Sequence, residues 1–168
     1  MITDMKKFIW EDKYSIGVDS IDQQHQQFFK IANSVLELLE RKVTDRGRIS
    51  SVVFKLGDYV FYHLETEEDY LIKFGLSDVA RKHILSHKAF RKNVEGFLSR
   101  IQNKNSNIEA LTEEMVDFVI DWIQKHILTA DKKYTKLLLA RGVKLSEIAN
   151  YYNLPMKKRR VRRKRSNL

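Results

Sequence analysis

From Ile21 to Leu39 apolar residues return every third or fourth position: Ile21, Phe28, Phe29, Ala32, Val35, Leu36 and Leu39. One face of an α-helix repeats at that interval, so the spacing predicts a helix over about 20–43. Ser20, with Gln23 three residues on, predicts a capping box at its start. The same period runs through Ile49, Val52, Val53, Leu56, Tyr59, Val60, Leu64, Leu71 and Phe74, predicting a second helix over about 46–74 that stops at Gly75. A third, over about 78–102, restarts at Ser77 or Asp78 and carries Val79, Ile84, Phe90, Val94, Phe97, Leu98 and Ile101. Beyond a polar NKNSN loop at 103–107, Leu111, Met115, Phe118, Val119, Trp122, Ile123 and Ile127 predict a fourth helix from about 109 to Ala140, before Gly142. Residues 1–18 read as an irregular arm anchored by Trp10 and Ile16, with a turn at Gly17. KLSEIANYY at 144–152 reads as a short amphipathic C-terminal helix. Four amphipathic helices on short loops predict an all-α fold, an antiparallel up-down-up-down four-helix bundle. The bundle domain is placed at 1–142 and a C-terminal extension with a mobile basic tail at 143–168.

Composition supports long helices, since 168 residues hold only 6 Gly and 1 Pro. That length suits one domain with a real core. The absence of cysteine excludes disulfides, thiolate catalysis and zinc–cysteine sites. No signal-peptide pattern and no apolar run of membrane-spanning length is present, so a cytoplasmic protein is expected, or a nuclear one in a eukaryotic source. The net charge of +9 belongs to one segment. KKRRVRRKR at 157–165 holds 8 positive charges, which leaves 23 Lys+Arg against 22 Asp+Glu elsewhere. The tail therefore suits a polyanion, nucleic acid or an anionic membrane surface, with binding that weakens steeply in salt.

The polar residues that interrupt the apolar stripes carry the chemistry. All 5 histidines fall on inward faces. His63 lies four residues before Glu67, and His83 four before His87, so each pair shares one helix face. In an up-down-up-down bundle His25 near the start of the first helix, the His63–Glu67 pair late in the second, the His83–His87 pair early in the third and His126 late in the fourth meet in one layer. A lone histidine on such a stripe is usually a satisfied core residue. Five converging imidazoles beside a buried carboxylate would each need a partner in a dry interior. A bound metal pair answers all these costs together, because five imidazoles are too many for one metal with an open position. Two close metals need bridging anions, and Glu67 and Asp131 are the candidates. Five residues of α-helix turn about 500°, leaving His126 and Asp131 some 140° apart (from ~3.6 residues per turn). Both reach one centre only if the helix is irregular between them, as in a π-type bulge.

In order and spacing, His25, His63-x-x-x-Glu67, His83-x-x-x-His87 and His126-x-x-x-x-Asp131 resemble the hemerythrin signature. WEDKYSIGVDSIDQQHQQFF and DWIQKHILTADKKY are similar to the opening and the last ligand segment of bacterial hemerythrins, and the likeness spans about residues 8–140. The resemblance implies two iron ions with an oxo or hydroxo bridge. It implies that His83, His87 and His126 bind one iron, that His25 and His63 bind the other, and that Glu67 and Asp131 bridge. It further implies that the iron with two histidines keeps an open position, where dioxygen binds reversibly. Phe28, Phe29, Trp122, Ile123 and Ile127 are the apolar candidates for the ligand pocket. The expected role is oxygen storage, delivery or transport without enzymatic turnover. Two alternatives stand beside it: a sensor of oxygen, nitric oxide or redox state whose tail engages nucleic acid or a partner, and a di-iron oxygen or peroxide reductase.

Overall fold

The computed structural model describes residues 6–75 and 77–152. The basic run at 157–165, and with it the expected mobile tail, lies outside them. Among the described residues every regular element is helical: α1 Asp19–Glu40, α2 Arg46–Tyr59, α3 Glu65–Lys73, α4 Ser77–Gln102, α5 Ile108–Asp121, α6 Lys132–Ala140 and α7 Leu145–Tyr152. A single 3₁₀ turn, Asp12–Tyr14, sits in the N-terminal arm. Two π-helical segments complete the described elements, Val60–Leu64 between α2 and α3 and Trp122–Asp131 between α5 and α6. Backbone dihedrals stay helical through these joints, so 46–73 and 108–140 are each one continuous rod. With α1 and α4 they make the four rods of the bundle, α1 packing on α2 and α5, and α4 packing on α2, α3 and α5. No described helix is long and apolar enough to cross a membrane.

The loops show why the rods stop where they do. Lys42 adopts a left-handed φ of 48°, and Val43 N–H reaches back to Leu38 C=O at 2.9 Å, closing the end of α1. Gly142, at φ 83°, makes the same closure after α6, with Val143 N–H bonded to Leu138 C=O at 3.1 Å. At the far end of α4 the Arg46 guanidinium bonds the carbonyls of Ile101, Asn103, Lys104 and Ser106, satisfying groups the helix leaves without partners. The Asn107 side chain caps α5 by accepting from Ala110 N–H at 3.1 Å.

The capping box expected at Ser20 is not formed. Helix α1 begins after Val18 with no side-chain cap, and Ser20 Oγ is buried without a hydrogen-bond partner. Asp22 holds that junction instead, accepting from Ile16 N–H at 2.9 Å and from Ser15 Oγ–H at 2.5 Å. The arm turns at Gly17, with φ 79°, and Ile16 and half-buried Trp10 anchor it.

Among the described residues, buried apolar side chains form two clusters. The larger fills one end, from Phe28 to Leu38, Ile49 to Leu64, Phe90 to Ile101 and Ile108 to Ile127. The smaller, at the other end, holds Ile16, Val18, Ile21, Tyr70, Leu71, Ala80, Tyr134, Leu138 and Ile148. Ile148 belongs to α7, which seats this short helix on α1 and α3. In each rod the polar residues singled out in the sequence fall where one cluster gives way to the other.

Candidate metal centre

All seven residues lie in that intermediate layer. His25, His63, Glu67, His87 and Asp131 are fully buried, and His126 and His83 are 3% and 5% exposed. They form two groups with donor atoms within 4.8 Å of one another, Glu67 with His83, His87 and His126, and His25 with His63, Glu67 and Asp131. Asp131 turns one oxygen to each side. Its Oδ1 lies 3.2 Å from His126 Nε2 and 3.4 Å from His83 Nε2, while Oδ2 lies 3.2 Å from His25 Nε2. Glu67 Oε2 stands between the groups, 3.0 Å from His83 Nε2, 3.4 Å from His87 Nε2 and 3.6 Å from His63 Nε2. Its other oxygen, Oε1, accepts from the Tyr134 hydroxyl.

The backbone makes this convergence possible. His126 and Asp131 occupy one π-helical segment, whose i→i+5 bonding brings residues five apart to nearly the same face. The irregularity that the spacing of these two residues demanded is therefore present. A second π segment, carrying His63, was not expected, because the four-residue step to Glu67 suits an ordinary α-helix.

Hydrogen bonds on the outer faces of the rings set which nitrogen points inward as a lone pair. His63 Nδ1 lies 2.8 Å from Gln24 Oε1, and His87 Nδ1 lies 3.0 Å from Glu68 Oε1, both acceptors. Glu68 is itself held by Arg91 at 2.7 Å. Ser86 Oγ donates to the His83 carbonyl at 2.7 Å, which leaves it to accept from His126 Nδ1 at 3.3 Å. Each of these Nδ1 atoms therefore carries its hydrogen, and each Nε2 presents a lone pair to the interior. His87 Nε2 and His126 Nε2 face each other at 3.1 Å in that state. Two lone pairs so placed repel unless a proton or a metal cation stands between them. Nitrogens each about 2.1 Å from one ion and at right angles are roughly 3.0 Å apart. His25 Nε2, His63 Nε2 and both Asp131 oxygens are buried without hydrogen-bond partners, which a second cation would satisfy.

Electrostatics point the same way. Burial pushes His25 down to about 4 and His126 down to about 3, and it holds His63 well below its ordinary 6.5. These imidazoles are neutral near pH 7, as ligands must be. Burial also acts to lower His87, but its bonds to Glu67 and Glu68 outweigh this and raise it. Burial acts to raise Glu67, yet His63 and the hydrogen-bonding imidazoles hold it well below 4.5. Asp131 is pushed well above 3.8 by burial and by the charge of Glu67.

The family description Hemerythrin HHE cation binding domain matches residues 16–138. A bacteriohemerythrin of Clostridium acetobutylicum is 36% identical over 129 residues, covering 76% of this chain and 98% of its own. This chain belongs to the hemerythrin family. A bacteriohemerythrin of Stenotrophomonas maltophilia is 28% identical over 130 residues, 77% of this chain and 80% of the relative. A hemerythrin-like protein of Naegleria gruberi is 25% identical over 132 residues, 78% of this chain and 93% of the relative. For a hemerythrin-family bundle, the donor set fits a di-iron site: five imidazoles and two carboxylates converge in one buried layer.

Four supporting residues of this hemerythrin-family chain escaped the sequence reading: Gln24, Glu68, Ser86 and Tyr134. Gln24 and Glu68 each adjoin a ligand candidate in sequence, and Tyr134 follows Asp131 by one helical turn. Adjacency alone could not show that Gln24 serves His63 on another rod. Among the five apolar pocket candidates, Trp122 stacks on His126, with ring centroids 3.7 Å apart and planes at 13°. Phe28, Phe29, Ile123 and Ile127 belong to the larger core. Phe29 also meets the rings of Trp10 and Tyr14 at 5.4 and 4.7 Å, where the arm covers the layer beside His25.

Proposed function

We propose that this chain binds dioxygen reversibly at a di-iron centre, for storage or delivery. The observation that carries the reading is the unequal division of imidazoles, three on one side of the two carboxylates and two on the other, in a buried layer. His83, His87 and His126 would hold one iron, and His25 and His63 the second, with Glu67, Asp131 and an oxo or hydroxo group as bridges. When bound, the iron pair supplies the electrons that dioxygen takes up and returns. The side with only two histidines has room for an added ligand. The bacteriohemerythrin relatives support the reading by name and by coverage of the whole bundle.

The chain's own residues prepare that chemistry in three ways. Gln24, Glu68 and Ser86 hold the imidazoles in one tautomer and orientation. The Tyr134 hydroxyl restrains Glu67 by donating to the oxygen that faces away from the imidazoles. Tyr59 stacks on His63 with centroids 4.7 Å apart, and the Trp10 ring lies 6.4 Å from His25, so aromatic surface keeps water from the two-histidine side. Burial, reinforced by Asp131 and Glu67, raises the Tyr59 hydroxyl well above 10, so it remains protonated. Two carboxylates against five neutral imidazoles make a shell of low anionic charge, which favours reduced iron and reversible binding over turnover. We accordingly read the protein as a carrier and not an enzyme.

Iron analysis with ultraviolet–visible spectra of the reduced protein, before and after air and again after deoxygenation, tests this. Two irons per chain, with charge-transfer bands that come and go, are expected. One metal or none, or irreversible oxidation on first contact with air, overturns the carrier. The charge density at 157–165 favours one second reading, an oxygen- or redox-responsive regulator acting on a polyanion. Salt-sensitive nucleic-acid binding that differs between the oxygenated and reduced protein would mark it.

A further inference from the structure

The fourth rod is split by charge. Its first half, α5, carries 5 acids and no Lys or Arg, whereas residues 132–144, beyond the polar layer, carry 5 Lys and Arg and no acid. Helix α4 repeats the bias, with 5 Lys and Arg against Asp78 between residues 77 and 92. Both basic stretches reach the end of the bundle that holds the smaller apolar cluster, where Ala80 and Leu138 are buried. On α4, Arg81, Leu85, Lys88 and Lys92 recur at steps of four, three and four, the spacing of one helix face, and all are exposed. Among the described residues the Lys and Arg ion pairs of α4 run through Arg91 and Arg100, which leaves these three cations without an acid beside them. Leu85 is 58% exposed, and Ile72 of α3, 40% exposed, shares its groove. That groove, of about 340 Å³, is lined by this pair with Ala80, Ile84, Arg81 and Lys88. A single exposed aliphatic is ordinary, but two in one groove among unpaired cations make an amphipathic surface. Lys82 and Lys133 extend its positive field into the next cleft, between α4 and the fourth rod.

We propose that this side of α4 is a docking face for an anionic lipid bilayer, with the basic run at 157–165 as a second anchor. The cations meet the lipid phosphates, and Ile72 and Leu85 enter the boundary between headgroups and acyl chains. The aliphatic pair selects lipid over nucleic acid, because a phosphate backbone would use the same cations and leave both side chains in water. Helix α7, through Ile148, is seated at this same end of the bundle. The basic run begins five residues beyond Tyr152, the last residue of α7, a reach of at most about 17 Å of extended chain. No described helix can cross the membrane, so the contact is peripheral. It combines a basic cluster with inserted apolar side chains, two weak signals that add. Helix α1 packs on α2 and α5, and α4 on α2, α3 and α5, so α1 is the rod diagonal to α4. A docked protein therefore turns α1 away from the bilayer. The inference does not depend on the metal.

The full chain is sedimented with vesicles of phosphatidylcholine, with and without phosphatidylglycerol. Binding should require phosphatidylglycerol and weaken with salt. Arg81→Glu combined with Lys88→Glu should weaken it roughly tenfold or more. Ile72→Ser combined with Leu85→Ser should weaken it roughly threefold or more. Lys30→Glu, on α1, and Phe54→Ser, on α2 and 59% exposed, should leave it unchanged. The chain has no cysteine, so a bimane dye can be attached at Leu85→Cys or at Phe54→Cys. Its emission should shift to the blue on phosphatidylglycerol vesicles at the first position and stay constant at the second. Absent binding, or equal binding to both kinds of vesicle, overturns the docking. Binding that is lost when the Lys and Arg of 157–165 are changed to Gln, yet ignores both double variants, belongs to that run alone and overturns the face. A DNA duplex that binds and is weakened by the charge reversal, while the dye at Leu85→Cys stays unshifted on vesicles, replaces lipid with nucleic acid.

Discussion

At the scale of single residues, the tautomer assignment makes the sharpest demand. Gln24→Leu removes the acceptor that keeps the hydrogen on His63 Nδ1, and ligand positioning on the two-histidine side suffers while the other side keeps its partners. Iron affinity there should fall roughly 10–100-fold, so a protein dialysed against a moderate chelator retains about one iron per chain. Two strongly held irons in the variant would show that Gln24 is incidental. The depressed histidines make a second demand, on the metal-free protein. Unfolded, His25, His63 and His126 take up protons near pH 6.5; folded, burial refuses them, down to about 4 for His25 and about 3 for His126. The folded state therefore loses ground as pH falls below 6.5, by about 3 kcal/mol at His25 alone by pH 4. His87, raised by its carboxylates, and Asp131, raised by burial and by Glu67, work in the opposite sense, two residues against three. Urea midpoints of the metal-free chain should drop steadily between pH 6.5 and 4, and a flat profile would contradict the assignment. The ligand candidates were legible in the sequence because charge on an apolar stripe is conspicuous. Gln24 and Ser86 were not, because each works on a ring carried by a different rod.

At the scale of elements, the helix ends offer a matched pair of tests. Lys42 and Gly142 hold the same left-handed post, and only the glycine does so without a Cβ penalty. Gly142→Ala should cost about 1 kcal/mol, since no atom lies within 4 Å of the added carbon and the backbone conformation is the whole expense. Lys42→Gly should gain a similar amount at the other end of the bundle. Melting temperatures should move a few degrees in opposite directions, roughly 2–4 °C each. Helix boundaries were readable to within a few residues because apolar period and glycine stops agree. The cap of α1 was misread because a Ser–x–x–Gln pattern is short and common, whereas Asp22, the residue that bonds the incoming arm, acts on backbone upstream. The π segment at 122–131 was predictable only because two side chains five apart had to meet. The one at 60–64 has no such pair to betray it.

At the scale of the molecule, the layer of seven polar residues divides the apolar interior into a large block and a small one. Neither block reaches across that layer with apolar contacts of its own in the way an ordinary bundle core does. Metal removal should therefore loosen the small block first. Hydrogen exchange on the metal-free chain should quicken most in α3, α6 and α7 and in both π segments, with α2 and α5 still protected. Uniform exchange through the bundle would show that the two blocks form one cooperative unit. The up-down-up-down fold itself was plain in the sequence, since four amphipathic stretches on short loops leave few other arrangements. The partition of the core was not, because it depends on which end of each rod shares a layer with its neighbours.

The seat of α7 gives that partition a further meaning. Ile148 is buried only because Ile16, Tyr70 and Leu138 are gathered around it, and they are gathered where the rods continue past the layer. A newly made chain that has not found its metal would thus show proteases a loosened C-terminal helix, while a loaded chain hides it. On the di-iron reading, metal supply would set how long each copy survives as well as how many copies are functional.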